Sequence, residues 1–387
     1  MLLALTSKGH AAYLVGGCVR DLLRGEDVRD FDVATSAPAE VVLGILPRAI
    51  PIGIRHGTVM VPTTEGPVDV TSFRAGPRVE DDLGHRDFTI NAMAWDPESG
   101  AVLDPFRGLE DLANGCLRAV GDAESRFRED PLRMLRAARL VATLGVTSDP
   151  AIETAMAKLA AELRGVARER VRSELALLLL GPNVASGLGL LRRTGLEAEL
   201  ASGIRPDAIA VVAALPPDLD LRLAGWLRDT EAESILRRLR FSRRICRRVG
   251  HLLRHHPIGA NVNPKRDALV RKLIKRVGVD ELTPLFRLRE AELRSANAAG
   301  TPGGAEQLQL IRDAIDRVRS AGALALRRFD LAISGRDVME QLGCGPGRTV
   351  GRALGYLTEA VVESPDCNTP ERLRQLLARW AEERPER

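Results

Sequence analysis

The sequence predicts an α+β protein, with a mixed α/β segment to about residue 120 and helices from there to the end. Three observations carry this. Short runs rich in Val, Thr and Phe, bounded by Gly and Pro, fill the first part. From about Glu124 apolar residues recur near every 3.6 positions. The charge also changes sign along the chain. Residues 1–120 hold 11 basic and 17 acidic side chains, whereas Arg237 to Arg276 hold 14 basic residues and one acid, Asp267. An acidic front suits metal and nucleotide chemistry, and a basic rear suits a polyanion. The plainer reading of any single arginine is substitution for lysine, since only five of the 56 bases are Lys.

YLVGG, DFDVAT, GTVMVP and PVDVTSF are the expected strands, with VRDLLRG and APAEVVLGILPR as short helices between them. DPLRMLRAARLVATLG, AIETAMAKLAAELRGVA, ERVRSELALLLL and SILRRLRFSRRICRRVGHLL read as helices, with breaks at GPNVASG, LPPDLD and AGTPGGAEQ. A chain of 387 residues, 45% hydrophobic, can bury two or more cores. Aromatics are few (Phe 8, Trp 3, Tyr 2), which limits base-stacking platforms. Cys18, Cys116, Cys246, Cys344 and Cys367 are scattered without metal-ligand spacing and read as reduced thiols. With no signal peptide or bilayer-length apolar run, the expectation is a soluble cytoplasmic protein.

The chemistry concentrates in DFDV. Residues i and i+2 of a strand share a face, so Asp30 and Asp32 present two carboxylates together while Phe31 and Val33 turn to the core. Such a pair repels itself without a cation, and hard oxygen donors suit Mg²⁺ and the phosphates it carries. Upstream, Gly16 and Gly17 end an apolar strand and open a helix, where backbone N–H groups can meet a phosphate. Farther on, Glu129-Asp130-x-x-Arg133 would place Asp130 and Arg133 one helical turn apart. A carboxylate and a guanidinium there match the amino donor and ring-nitrogen acceptor of cytosine or adenine, whereas uracil and guanine offer the opposite pattern. An ordinary intrahelical salt bridge is the other reading of that spacing.

Gly-Gly, twelve residues, then Asp-x-Asp resembles the signature of nucleotidyltransferases related to DNA polymerase beta. Three further stretches narrow the resemblance: HRDFTINAMAWD (85–96), DPFRGLEDLANGCLRAVG (104–121) and FREDPLRMLRAARL (127–140). With ERVRSELALLLLGPNVASGLGLLRRTGL (169–196) and SGRDVMEQLGCGPGRTVGRAL (334–354), they are similar to the class II tRNA nucleotidyltransferases, the family of CCA-adding enzymes and bacterial poly(A) polymerases.

The resemblance implies a catalytic head over 1–120, a base-recognising helical neck over 121–198, a basic RNA-binding body over 199–310 and a tRNA-binding tail over 311–387. It implies template-independent nucleotidyl transfer to the tRNA 3′ end, with two Mg²⁺ ions held by Asp30 and Asp32. Asp69 is the candidate third carboxylate, or else a structural acid. CTP, and ATP in full CCA addition, would be the nucleotide substrates. Arg86, Asp87 and Asn91 would meet ribose and triphosphate. Glu129 would orient the Asp130–Arg133 pair, and Asp111 and Arg118 would couple head to neck. Arg136 and Arg139 either reach phosphates or form a solvated stripe, and Arg20 either touches triphosphate or pairs with Asp21.

Arg243, Arg244, Arg247, Arg248, Lys272 and Lys275, with Gly345, Gly347 and Arg348 at a helix start, are the expected contacts to the tRNA acceptor–T arm. His251, His255 and His256 read as surface or RNA-facing. One departure stands out. Full CCA-adding members carry a flexible basic loop before the Arg-Asp-Phe motif, and here only the eleven residues Ala75 to His85 separate Arg74 from Arg86. The short connection implies addition of CC alone, with a separate enzyme adding A. Full CCA or A addition, poly(A) synthesis, small-molecule nucleotidyl transfer and non-catalytic RNA binding are the alternatives.

Overall fold

The computed structural model describes residues 1–28, 30–53, 57–64, 66–297, 304–322 and 328–383, so most of the AGTPGGAEQ break lies outside them. Helix α1 (Leu2–Thr6) leads to β1 (Ala12–Val15), α2 (Gly17–Leu23), β2 (Phe31–Thr35), α3 (Ala39–Ile45), β3 (Ile50–Gly53), β4 (Thr58–Thr63) and β5 (Gly66–Ser72). Then come α4 (Val79–Leu83), β6 (Ala94–Trp95), β7 (Val102–Leu103) and α5 (Gly108–Ala113). The strands form one sheet in the order β3-β4-β5-β2-β1-β6-β7. Neighbours are antiparallel except β2 and β5, whose parallel register sets Asp32 beside Asp69.

Side-chain alternation explains why the two acids share a face. Val33, Val59, Val68 and Val70 pack with Ala37 and Val42 from the α3 segment. On the other face Ala34 packs with Val15, Val79 and Leu83, and Asp32, two residues earlier, is left exposed.

Downstream, β8 (Cys116–Leu117), α6 (Ala123–Glu129), α7 (Leu132–Leu144), β9 (Thr147–Ser148), α8 (Pro150–Leu159), α9 (Arg168–Leu180), α10 (Val184–Arg193) and α11 (Leu196–Leu200) follow. Helix α7 buries Leu132, Met134, Leu135, Ala138 and Leu140, residues spaced for a helix with an apolar flank. Gly187 lets α10 reach it closely: a Cβ there would lie 2.7 Å from Ala142 Cβ and 2.8 Å from Ala138 O.

The remaining helices are α12 (Ala208–Ala213), α13 (Leu219–Trp226), α14 (Ala232–Arg238), α15 (Arg243–Arg254), α16 (Asp267–Val277), α17 (Val279–Asn297), α18 (Gly304–Ser320), α19 (Gly335–Leu342), α20 (Arg348–Glu363) and α21 (Pro370–Glu382). The run SILRRLRFSRRICRRVGHLL, expected as one helix, is two: α14 ends before Arg240, whose φ of 60° is left-handed. The chain forms two compact units. One comprises Met1–Ile209, Pro217–Leu219 and Asp229–Arg243, and the other Ala210–Pro216, Asp220–Arg228 and Arg244–Arg387. Within the second, Val338, Leu357, Leu373, Leu377 and Trp380 form a core of their own. Among the described residues no helix is long and apolar enough to cross a membrane, and Cys18, Cys116, Cys246, Cys344 and Cys367 are all free thiols.

The second unit also corrects an expectation about histidine. His256 is not a surface group: its side chain is 8% exposed and its Nε2 lies 3.0 Å from Glu292 Oε2. His251 Nε2 sits 2.8 Å from the Val277 carbonyl. Arg228 donates to Glu292 Oε1 at 2.8 Å, and Arg289 also pairs with this carboxylate. Burial opposes the charge on Glu292, but the His256 hydrogen bond and charge, then Arg289 and Arg228, hold its pKa at about 2. A carboxylate depressed by folding stabilises the fold above its unfolded pKa and loses that contribution as pH falls toward the folded one. Glu292→Gln is therefore expected to lower stability at pH 7 by roughly 2–3 kcal/mol. In urea unfolding the difference from wild type should shrink steadily between pH 5 and 2; a deficit unchanged at pH 2 would contradict the assignment.

Candidate active site

The turn after β1 sets the geometry. Gly16 has φ 82°, and a Cβ there would lie 2.5 Å from Arg86 Nη1 and 3.7 Å from Asp32 Oδ2. Glycine is required both for the left-handed backbone and for the room between these two charges. Asp32 is second in β2, and Asp30 lies just before the strand begins. The two line a cleft of about 400 Å³ with Gly17, Arg20 and Arg86. Asp87, Asn91, Arg136 and Arg139 line it too. Asp69, Glu129, Asp130 and Arg133 lie outside that lining.

Asp32 is open to solvent yet crowded by protein. Partial burial raises its pKa first, the Asp69 and Asp30 charges add to this, and Arg86 and Arg74 oppose it. Asp32 therefore senses both other carboxylates, although among the described residues no three His, Cys, Asp or Glu side chains are arranged to hold a metal ion together. Asp30 and Asp32, oxygen donors short of compensating charge, fit a hard divalent cation.

Behind the cleft runs a buried polar chain. Arg20 binds Asp21 through Nε and Nη2 at 2.8 and 2.9 Å, so its own-helix partner is settled, and its Nη1 also donates to Asn91 Oδ1. Asn91 Nδ2 donates to Asp87 Oδ1 at 3.2 Å. Asp87, 7% exposed, takes the Arg136 guanidinium on Oδ2 at 2.6 and 2.7 Å. Burial works against the Asp87 charge, but Arg136, Asn91 and the Phe88 N–H hold its carboxyl below the ordinary range. Arg136 and Arg139 both reach Glu174 of α9, at 3.4 and 3.0 Å. Asp87 and Asn91 thus face the protein at least as much as a ligand, and Arg136 and Arg139 are not a solvated stripe.

The Glu129–Arg133 region corrects a second expectation. Asp130 is not helical: it has φ −148° and ψ 100° in the break between α6 and α7. Pro131 follows, and a residue before proline is pushed to extended backbone. Asp130 caps the Leu132 N–H at 3.2 Å and accepts from Arg170 Nη2 of α9 at 2.7 Å. Arg133 pairs instead with Glu129 Oε2 at 2.9 Å and donates to the His85 carbonyl at 3.0 Å. Arg126 reaches the neighbouring Gly84 carbonyl at 3.3 Å. Nearby, Asp111 accepts from Thr89 Oγ1 at 2.7 Å and from Arg118 Nε at 3.2 Å, and Arg118 Nη1 reaches Asp149, the cap of α8, at 3.1 Å.

Sequence reasoning missed Arg170, Glu174 and Asp82. Asp82 is 3% exposed, accepts the Arg74 N–H and pairs with Arg86 at 3.5 Å. Its i, i+4 spacing to Arg86 was the available signal. The basic run, by contrast, is largely compensated. Arg244 and Arg248 share Asp220 at 3.1 and 3.2 Å, while Lys272 and Lys275 each lie 2.5 Å from Glu363 and Glu359. Arg243 and Arg247 are exposed on α15, and Gly345, Gly347 and Arg348 are exposed where α20 begins.

The sheet with its Gly-Gly helix start and carboxylate pair defines a nucleotidyltransferase of the polymerase-beta type. Residues 12–118 match the poly(A) polymerase head domain, and residues 145–206 match a probable RNA- and SrmB-binding site of polymerase A. The CCA-adding enzyme of Geobacillus stearothermophilus is 34% identical over 392 residues, spanning 95% of this chain and 93% of that protein. That of Lactiplantibacillus plantarum is 34% identical over 382 residues, 92% of this chain and 89% of its own. A crystal structure of the Bacillus stearothermophilus CCA-adding enzyme in complex with CTP covers 99% of this chain and 96% of its own at 32% identity, with a TM-score of 0.79. The chain belongs to the class II tRNA nucleotidyltransferase and poly(A) polymerase family, and it is a tRNA nucleotidyltransferase dependent on divalent metal. Asp32→Ala, which removes a carboxylate from the cleft, is expected to cut nucleotide incorporation at least 1,000-fold while leaving the melting temperature within a few degrees; retained incorporation would remove Asp32 from the chemistry.

Proposed function

We propose that this enzyme transfers CMP from CTP to the 3′ end of tRNA, adding the two cytidines and leaving the terminal adenosine to a separate enzyme. In each step the terminal 3′ oxygen attacks the α-phosphorus, the bond to pyrophosphate breaks, and the hydroxyl proton passes to solvent. Asp30 and Asp32, with Asp69 beside them, would hold two Mg²⁺ ions. Such ions supply the positive charge that favours both the ionised hydroxyl and the departing pyrophosphate. Arg86, fixed between Asp82 and the Gly16 turn, is suited to triphosphate, and Arg139 and Arg20 add positive charge to the same cleft. Glu129 holds Arg133, and Arg170 holds Asp130, so the residues suited to reading cytosine are already oriented. The body and tail would grip the acceptor–T arm through phosphates, so binding should weaken steeply with salt.

The restriction to cytidine is carried by one observation. The connection Ala75–His85 is short and tied down. It folds into α4, at whose start the Arg78 backbone N–H donates to Asp81 Oδ2 at 3.4 Å, and its Gly84 and His85 carbonyls accept from Arg126 and Arg133. A base reader anchored to so short a connection has little slack to re-form for adenine. Addition of the whole CCA end is the second reading, favoured by the activity for which the relatives are named. Incubation of the enzyme with a tRNA lacking its 3′ end, CTP and ATP is expected to stop at the second cytidine, and a tRNA ending in CC is expected to gain no adenosine. Efficient A addition to the latter would establish the second reading.

A further inference from the structure

The C-terminal ends of α15 and α16 converge in the second unit on a cavity of about 670 Å³. Arg254, His255, Lys272 and Arg276 line it, with Asn261 and Leu273 among its other walls. No acidic residue is among its described lining. This is unusual for the basic run, in which most cations have found an anion or a carbonyl. Lys272 has Glu363, Arg248 has Asp220 and Glu281, and Arg271 donates to the Val362 carbonyl at 2.6 Å. Arg254 and Arg276 are exposed, and among the described residues neither guanidinium makes a hydrogen bond or an ion pair.

Their placement at helix C-termini makes each cation tolerable, because the helix dipole is negative there. The dipole still provides no acceptor for a guanidinium fork. Burial, and after it the charges of His251, Arg276 and Arg254, keep the His255 ring below its ordinary pKa, so the two guanidiniums are close enough to act on this wall of the cavity. Two forks without carboxylates, at a space whose described lining holds no acid, fit the planar bidentate recognition of a phosphate. Apart from histidine, no aromatic residue lines the space, so a base would find little to stack on.

We propose that Arg254 and Arg276 form a binding site for a backbone phosphate of the RNA substrate in the second unit. This rests on the reading that the substrate is RNA. It also shifts the expected contact away from Arg244, Arg248, Lys272 and Lys275, whose charges are already paired, to two arginines that composition alone did not single out.

The test compares full-length wild type, R254Q/R276Q and R48Q, which removes an exposed arginine of the first unit. Affinity for a tRNA lacking its 3′ CCA is read by fluorescence anisotropy across a salt series. The double variant should bind about 10-fold more weakly at 0.1 M salt, with a log–log salt slope shallower by about 1 to 2. R48Q should stay within about twofold of wild type, and all three should share the same maximal rate of cytidine incorporation at saturating RNA. Unchanged affinity and slope in the double variant would overturn the proposal, as would an equal loss in R48Q. If inorganic phosphate raises the wild-type melting temperature, and R254Q/R276Q loses only that response while keeping RNA affinity, the cavity serves a free anion and the RNA assignment fails. Failure of the wild-type enzyme to extend tRNA at all would instead refute the reading beneath the proposal.

Discussion

A carboxylate that is 7% exposed cannot stay charged without a partner, and the head of this enzyme is organised around that constraint. Asp87 comes from the segment that follows α4, and its partner Arg136 comes from α7, 49 residues later. The pair joins the sheet-bearing half of the first unit to its helices. Arg86 is adjacent in sequence to Asp87, so anchoring one delivers the other beneath Gly16 and toward Asp32. Asn91 and Arg20 extend the chain of bonds toward α2, and Glu174 extends it toward α9. Arg20, Asn91, Asp87, Arg136 and Arg139, all lining the cleft, are therefore held by one continuous polar network. Loss of a member would leave a neighbouring charge buried and alone, which costs more than a surface ion pair is worth.

This arrangement separates chemistry from choice. In the proposed mechanism the carboxylates of β2 and β5 serve phosphate and hydroxyl, groups that every nucleotide shares. Discrimination between bases is proposed to fall to Asp130 and Arg133, which lie at the break between α6 and α7. Those two residues are held by different partners. Arg170 of α9 holds the first, and Glu129 with the His85 carbonyl holds the second. The end of the short connection is therefore a direct neighbour of Arg133.

Much of this was legible before any coordinates. The spacing from Gly16 to Asp32 encodes a strand, a helix start and a second strand, all local, whereas Asp69 was a candidate only through the family resemblance, and it takes the parallel register of β2 and β5 to set it beside Asp32. What was not legible depends on residues far apart in sequence. The pairing of Asp130 with Arg170 spans 40 residues and two helices. The neutralisation of Lys272 and Lys275 by Glu363 and Glu359 spans more than 80, so a count of charge within the run overstated what it offers RNA. The break at Asp130 is different in kind. Pro131 marks it in the sequence, and the steric rule for a residue before proline outweighs the helical spacing from Asp130 to Arg133.

The central claim is that Asp87 and Arg136 act as one unit in positioning the catalytic cleft. A double-mutant cycle measures it directly, using kcat/KM for cytidine incorporation in Asp87→Asn, Arg136→Gln and the double variant, each checked for folding by its melting temperature. The account predicts strong coupling, on the order of 2 kcal/mol, with the double variant no worse than the poorer single one. Losses that simply add, from proteins that remain folded, would show that the two residues act independently and would contradict it.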